Sequence, residues 1–325
     1  MQAILKVFRK RLIQAVPVLL GIAVLNFLLL QLTEGTVVDA LVGQMGSADP
    51  ELIARMTEKF GLDRPTHEQL ALYLWNLIRL DLGHSHFFNM PVRDLIFDRL
   101  GATLLLMLSS IFLATVIGVV TGVAAARRFN TLWDRLLGVL ALILYATPVF
   151  WLGLMMIVVF AVQLRLLPTG GMYTIGANFT FVESVRDVLW HLILPMLTLS
   201  AFFVATYTRL MRSSMLESLQ QDYVRTARAK GMTEARLAYR HALPNALLPI
   251  VTVIGVQMGA VLGGAVVVES VFTWPGLGRL AFDAVVQRDL NLLLGILFMC
   301  SVLVICVNFI VDVIYVLIDP RVELR

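Results

Sequence analysis

Residues Leu136–Leu164 read LLGVLALILYATPVFWLGLMMIVVFAVQL, a run without one charged side chain and with a single proline, Pro148, near its middle. A bilayer core about 30 Å thick takes roughly 20 residues of helix, because backbone N–H and C=O groups find no water there and must pair within the segment. The run is therefore long enough to cross, with a kink expected at Pro148. Five further uncharged runs have the same character: Leu12–Leu32, Leu100–Ala126, Val188–Thr208, Ala246–Val268 and Leu290–Val311. His191 and Pro195 weaken the one beginning at Val188. Six spans follow, and the fold expected is all-α, a polytopic membrane protein.

The composition of the 325-residue chain agrees: 59% of residues are hydrophobic and 15% charged, against roughly a quarter charged in soluble domains. Mean hydropathy is +0.84. A water-soluble enzyme is excluded on these grounds, and a net charge of +4 is too small to suggest a nucleic-acid binder. Cys300 and Cys306 share one apolar run on different faces of a helix, so no disulfide or cysteine–metal framework is readable. The first run is preceded by Lys6, Arg9, Lys10 and Arg11, as in a secretory signal. It is longer than the usual apolar core of such a signal and no A-x-A-like cleavage site follows, so it reads as a retained anchor.

Orientation is set by which short loops hold Lys and Arg. The amino end, the loop Arg127–Arg135 and the loop Arg209–Asn245 are the basic ones; the opposite connections hold only Arg165 with Arg186, and Arg279 with Arg288. Both termini and the basic loops are expected on the cytoplasmic side. The chain then divides into a cytoplasmic amino end with the first span (1–32), a polar periplasmic insertion (33–99) and the remaining spans (100–325). The insertion carries helical periodicity at Glu51–Phe60 and Glu68–Leu80, which predicts a small helical cap. With no cysteine to staple it and little room for a core, it must lean on the membrane helices or a partner.

From Arg209 to Asn245 the chain reads RLMRSSMLESLQQDYVRTARAKGMTEARLAYRHALPN, far more than a connection between neighbouring spans requires. Met215, Leu219 and Tyr223 recur as an apolar stripe, with Glu217, Gln221, Arg225 and Arg228 filling the rest; a second helical stretch is expected over Glu234–His241. Gly231 supplies the left-handed residue that closes the first helix, and Thr233 is placed to cap the second. A short helical hairpin at the membrane surface results. It can lie on anionic lipid or take a cytoplasmic partner.

The segment resembles the cytoplasmic motif of ABC importer permeases, a Glu-Ala-Ala…Gly…Ile-x-Leu-Pro pattern that forms coupling helices docked in a cleft of the ATPase. Ala227, Gly231, Leu243 and Pro244 occupy pattern positions, whereas Arg225, Thr226 and His241 stand where the general pattern has Glu, Ala and Ile. DYVRTARAKG (Asp222–Gly231) with HALPNALLPIVT (His241–Thr252) is similar to the dipeptide, oligopeptide and nickel permease branch, nearest its dipeptide-permease-type B subunit. So are FGLDRPT (Phe60–Thr66), DLGHS (Asp81–Ser85), TRLMRSSMLE (Thr208–Glu217), ESVFTWPGLGRL (Glu269–Leu280) and VDVIYVLIDPR (Val311–Arg321). The branch usually has Gly-Asp-Pro after the first span, where this chain reads TEGTVVDAL from Thr33.

The resemblance implies a permease of the bacterial inner membrane working with a second homologous permease, two ABC ATPase subunits and an extracytoplasmic peptide-binding protein. It implies that Asp222, Tyr223, Arg225, Ala227, Arg228, Gly231, Leu243 and Pro244 couple the chain to the ATPase, Arg225 and Arg228 meeting the acidic rim of its cleft. None of Lys6, Lys10, Lys59 and Lys230 ends a G-x-x-x-x-G-K-[ST] loop, so ATP and Mg²⁺ would be bound by the partner and no cofactor or catalytic residue is expected here. Proton-driven carriage, the rival class along with a non-transporting scaffold, needs ionisable residues within the spans. The runs contain only His191, which suits hydrogen-bonded structure.

Gly255, Gly259 and Gly263 recur at four-residue spacing in the fifth span, which also carries Gln257, and Gly118 and Gly122 do so in the second. Such spacing serves close helix packing or a pathway lining, and both remain open for the fifth span. Trp274 and Phe272 suit a membrane interface. With Pro275, Gly276 and Gly278 they predict either a partly re-entrant loop that faces the binding protein and shapes the exit for substrate, or an interfacial turn without substrate contact. His84 and His86 lack a third ligand nearby, so no metal site is expected, and the choice among dipeptide, oligopeptide, nickel and glutathione is left open.

Overall fold

The computed structural model describes residues 2–32 and 64–318. The helix expected over Glu51–Phe60, the stretch from Thr33 and the chain end from Asp319 lie outside the described residues. The elements are α1 (Gln2–Leu32), α2 (Thr66–Ile78), β1 (His84–Ser85), β2 (Met90–Pro91), α3 (Val92–Arg127), α4 (Leu132–Ala146), α5 (Val149–Met156, continued by π-helical turns over Ile157–Gln163) and α6 (Phe181–Gln220). After these come α7 (Asp222–Ala229), α8 (Glu234–Arg236, continued by π-helical turns over Leu237–Ala242), α9 (Leu243–Ala246), α10 (Leu248–Val271), α11 (Leu277–Val286) and α12 (Leu290–Ile318). Among the described residues, five helical stretches are long and apolar enough to cross a membrane, or six if the bent pair α4 and α5 is one span.

That pair corrects the expected kink. The axes of α4 and α5 differ by 102°, because Thr147 and Pro148 both take extended ψ values, 126° and 132°. A residue before proline is pushed out of the helical region, and Pro148 has no N–H to restart the ladder, so one helix ends and another begins. In α6 the outcome is the opposite: Pro195 is buried inside a continuous helix that overruns the expected span at both ends. Its start is set by Thr180, whose N–H and hydroxyl both donate to the Glu183 carboxylate at 2.8 Å. Likewise α3 starts at Val92, before the apolar run, because nothing in VRDLIFDR breaks a helix.

The described residues form two units. One comprises residues up to 99 with 280–306. Here α2 leans on α1 through Leu77, Tyr73 and Leu74 packed with Leu19 and Ala23, and the Phe27 and Tyr73 rings lie 5.8 Å apart. The insertion is not wholly helical: His84 pairs with Pro91 and Ser85 with Met90 in a small antiparallel hairpin. Buried Asp289 holds it, accepting from Ser85 Oγ at 2.5 Å, from Phe87 N at 3.2 Å and from Leu292 N at 3.1 Å in the first turn of α12.

The other unit comprises 100–279 with the residues after 306. Its core packs Leu106 and Met107 of α3, Leu194, Leu199, Phe203 and Tyr207 of α6, and Phe272 and Trp274 beyond α10. Gly118 and Gly122 let α3 approach α6 closely, since a Cβ on either would lie 2.5 Å from Cβ of Tyr207 or Met211. Between them the Thr121 and Thr208 hydroxyls are 2.7 Å apart.

Candidate functional site

The hairpin forms as its residues dictate, with two corrections. The apolar stripe does not continue to Tyr223, because α6 ends at Gln220 and Gln221 is extended, ψ 151°. The break rotates the next turn, so Val224, Ala227 and Leu237 form the buried inner face with Leu219 and Met232, and Tyr223 is exposed. Thr233 occupies the capping position, but its side chain makes no capping bond; Leu237 N donates to its carbonyl instead at 3.0 Å.

Gly231 has φ +81°, Gly231 N donates to Arg228 O at 3.0 Å and Met232 N to Ala227 O at 3.4 Å. This is the Schellman closure, with the Met232–Ala227 apolar contact that accompanies it. Glycine is required by its φ alone, since a Cβ there would meet nothing. Arg228 is bidentate to Glu234, Nε to Oε1 at 2.7 Å and Nη2 to Oε2 at 3.1 Å, across the turn. This pairing pushes the guanidinium further above its ordinary pKa. Arg225 lies 3.5 Å from Asp222, both exposed. Tyr223 Oη accepts from Asn245 Nδ2 at 2.9 Å and ties α7 to α9. Leu243 is half-buried against Met215 and Ala242, and exposed Pro244 sits in the first turn of α9, directly after the π-helical turns. The eight expected coupling residues are thus gathered on one small body whose outer edge is polar.

In α10 the glycines divide. Gly255 is a packing residue, because a Cβ would lie 2.6 Å from Val311 Cγ1. Gly259 is exposed and Gly263 faces open space. Gln257 is half-buried, its Oε1 buried without a hydrogen-bond partner among the described residues, an uncommon arrangement in an apolar helix. His191 is accounted for by its own helix: Nδ1 lies 2.9 Å from Asp187 O. In the hairpin near Ser85, His86 Nε2 and Asn291 Nδ2 are 3.4 Å apart.

The turn after α10 corrects another expectation. Phe272 and Trp274 do not lie at an interface; both are fully buried, and Trp274 Nε1 donates to Ala102 O at 2.9 Å. Thr273 has φ +55°, with Trp274 N donating to Glu269 O at 2.8 Å, so α10 closes in the same way as α7. Pro275 is half-buried, and Gly276 and Gly278 are buried. A Cβ on Gly276 would overlap the Glu269 carboxylate, and one on Gly278 would lie 2.5 Å from Val266 Cα.

Glu269, absent from the sequence expectations, is the centre of this turn and is 0% exposed. Thr103 Oγ1 donates to its Oε1 at 2.7 Å, Arg279 N donates to its Oε2 at 3.0 Å, and Leu277 N donates to Thr103 Oγ1 at 2.7 Å. A carboxylate at the first turn of α11 satisfies N–H groups that have no helical partner and meets the positive end of the helix dipole. The glycines that looked like turn formers are there because the carboxylate and the α10 backbone leave no room for a side chain.

A family described as the binding-protein-dependent transport system inner membrane component matches residues 118–324. The oligopeptide transport system permease protein AppB of Bacillus subtilis (strain 168) is 40% identical over 97% of this chain and 98% of its own length. The di/tripeptide transport system permease protein DppB of Pseudomonas aeruginosa is 37% identical over 97% of each. A chain solved in inward-facing conformations of the MetNI methionine ABC transporter has the same fold, with a TM-score of 0.56 at 18% identity over 69% of this chain and 96% of that one. The chain belongs to the binding-protein-dependent transport system inner membrane component family, and is a multi-pass membrane permease rather than an enzyme.

Proposed function

We propose that this chain is the permease subunit of an ATP-driven importer that moves di- or oligopeptides inward across the bacterial inner membrane by alternating access. In this reading both termini and the hairpin Asp222–Pro244 face the cytoplasm. The hairpin docks on one of two ATPase subunits that bind ATP and Mg²⁺, a second homologous permease completes the path, and an extracytoplasmic binding protein delivers the peptide. The observation that carries it is the hairpin itself: an apolar inner face of Val224, Ala227 and Leu237 holds it to the α6 stem, while Arg225, Arg228 and Lys230 are left exposed. A partner gripping that edge moves a stiff body rather than a loose loop. The names of AppB and DppB support peptide as the cargo. In α10, Gly255, Gly259, Gly263 and Gln257 are the residues proposed to border the path, Gly255 packing there against Val311; on the far side Trp274, Pro275, Gly276 and Gly278 shape the turn nearest the binding protein.

The test is uptake of a labelled dipeptide into lipid vesicles holding the assembled complex. Uptake that requires ATP, Mg²⁺ and the binding protein is expected. Uptake by this chain without any ATPase would overturn the reading, and ATP-dependent uptake of nickel or glutathione in place of peptide would overturn the cargo alone.

A further inference from the structure

The coupling reading needs a path from the hairpin to the membrane helices; covalent continuity supplies two, back into α6 and on through α9 into α10, and neither reaches α4. Met215 of the α6 stem packs on Ala238 and Ala242, and Leu219 packs on Val224 and Leu237, so hairpin and stem form one body. Beside the stem lies α4, the first half of the broken span. Its first turn carries Asp134, 5% exposed, and Arg212 of the stem meets it in a bidentate pair, Nε to Oδ1 at 2.6 Å and Nη2 to Oδ2 at 2.8 Å. The same carboxylate accepts from Asn130 N at 3.0 Å and so closes the turn before α4, where Asn130 has φ +62°. Arg212 also lies over the Phe129 ring, 5.3 Å from its centre. At the other end of α4, Tyr145 stacks on Phe202 of α6 at 5.2 Å. Two residues further on comes the 102° bend at Thr147–Pro148.

An exposed ion pair contributes little and is held in no fixed geometry. A bidentate pair whose carboxylate is buried and whose guanidinium is half-buried is different: it is directional, and removing Arg212 leaves the Asp134 charge uncompensated. α4 is therefore fastened to the stem at its first turn and at its last, and it ends where the chain is jointed. Resting on the coupling reading above, we propose that the Asp134–Arg212 pair is the positioning contact that makes α4 travel with the stem, so that hairpin movement reaches the joint at Thr147–Pro148 and opens the path. The pair touches neither cargo nor nucleotide; it acts by transmission.

The readout is the number of ATP molecules hydrolysed per solute taken up, measured on the full reconstituted complex with the binding protein. Asp134→Ala and Arg212→Ala are each expected to raise that ratio about tenfold, the size of an ordinary coupling between sites. The double variant is expected to be no worse than either single one, because a severed contact cannot be severed twice. Arg212→Lys, which keeps the charge and loses the fork, should lie between, and it decides the matter if the alanine variants fail to insert. Unchanged ratios in inserted variants, or a double variant whose effect is the product of the two, would overturn the proposal. Unmutated complex that transports without ATP would instead overturn the coupling reading, so the two failures are distinguishable.

Discussion

The hairpin at Gly231 and the turn at Thr273 close their helices with the same backbone bonds yet are opposite kinds of object. At Gly231 the left-handed residue is glycine in open space, the charged groups are exposed, and the contacts are local. At Thr273 a β-branched residue takes the left-handed conformation, the carboxylate beside it is buried, and glycines are needed because the backbone is crowded. A surface open to a partner, as proposed for the hairpin, tolerates exposed pairs and open space; a lock between helices does not. Removing a buried group of the turn should therefore destabilise the protein, and changes in the hairpin should cost little stability and much transport.

The largest effect on stability is expected from Glu269→Ala. It strips the acceptor from the Thr103 hydroxyl and from Arg279 N, a loss of about 3 kcal/mol at 1–3 for each orphaned donor. Thermal unfolding of the purified protein in detergent would show it, and an unshifted midpoint would mean that the turn is no lock. Gly231→Asp should cost about 1 kcal/mol, because aspartate is among the non-glycine residues that best tolerate positive φ. The variant should insert and assemble, yet hydrolyse ATP without uptake. Normal uptake by a well-inserted variant would break the contrast from the hairpin's side. The smallest effect concerns Thr273→Gly, which relieves the left-handed strain at some entropic cost and should raise stability by about 0.5 kcal/mol; a lower unfolding midpoint would show that the threonine side chain contributes more than its backbone costs.

Much of this was legible in the sequence, for reasons that differ by element. Spans are readable because hydrocarbon offers the backbone no partner, so each crossing must be a long apolar helix, as α1, α3 and α12 are. Gly231 was readable because its requirement is a local dihedral. The 102° bend was half-readable: Pro148 announced a disturbance, but the same residue type at Pro195 left a continuous buried helix, and the packing around each decides between them. Trp274 was misread because an aromatic beside turn formers has the composition of an interface, and only its neighbours Ala102 and Phe272 show it to be interior.

By itself the sequence determined the helical class, the number of apolar runs, the position of the hairpin and the family, all of which rest on periodicity, length or short motifs. The tertiary structure alone decided that Glu269 is clasped by Thr103, 166 residues away, and that Asp134 is paired with Arg212, 78 residues away. Such pairs leave no periodic trace, since a charged residue at a span's edge looks the same in sequence whether water or a distant side chain receives it. Burial makes the difference: away from solvent a carboxylate must find its donors within the chain, and only the folded chain brings them to it.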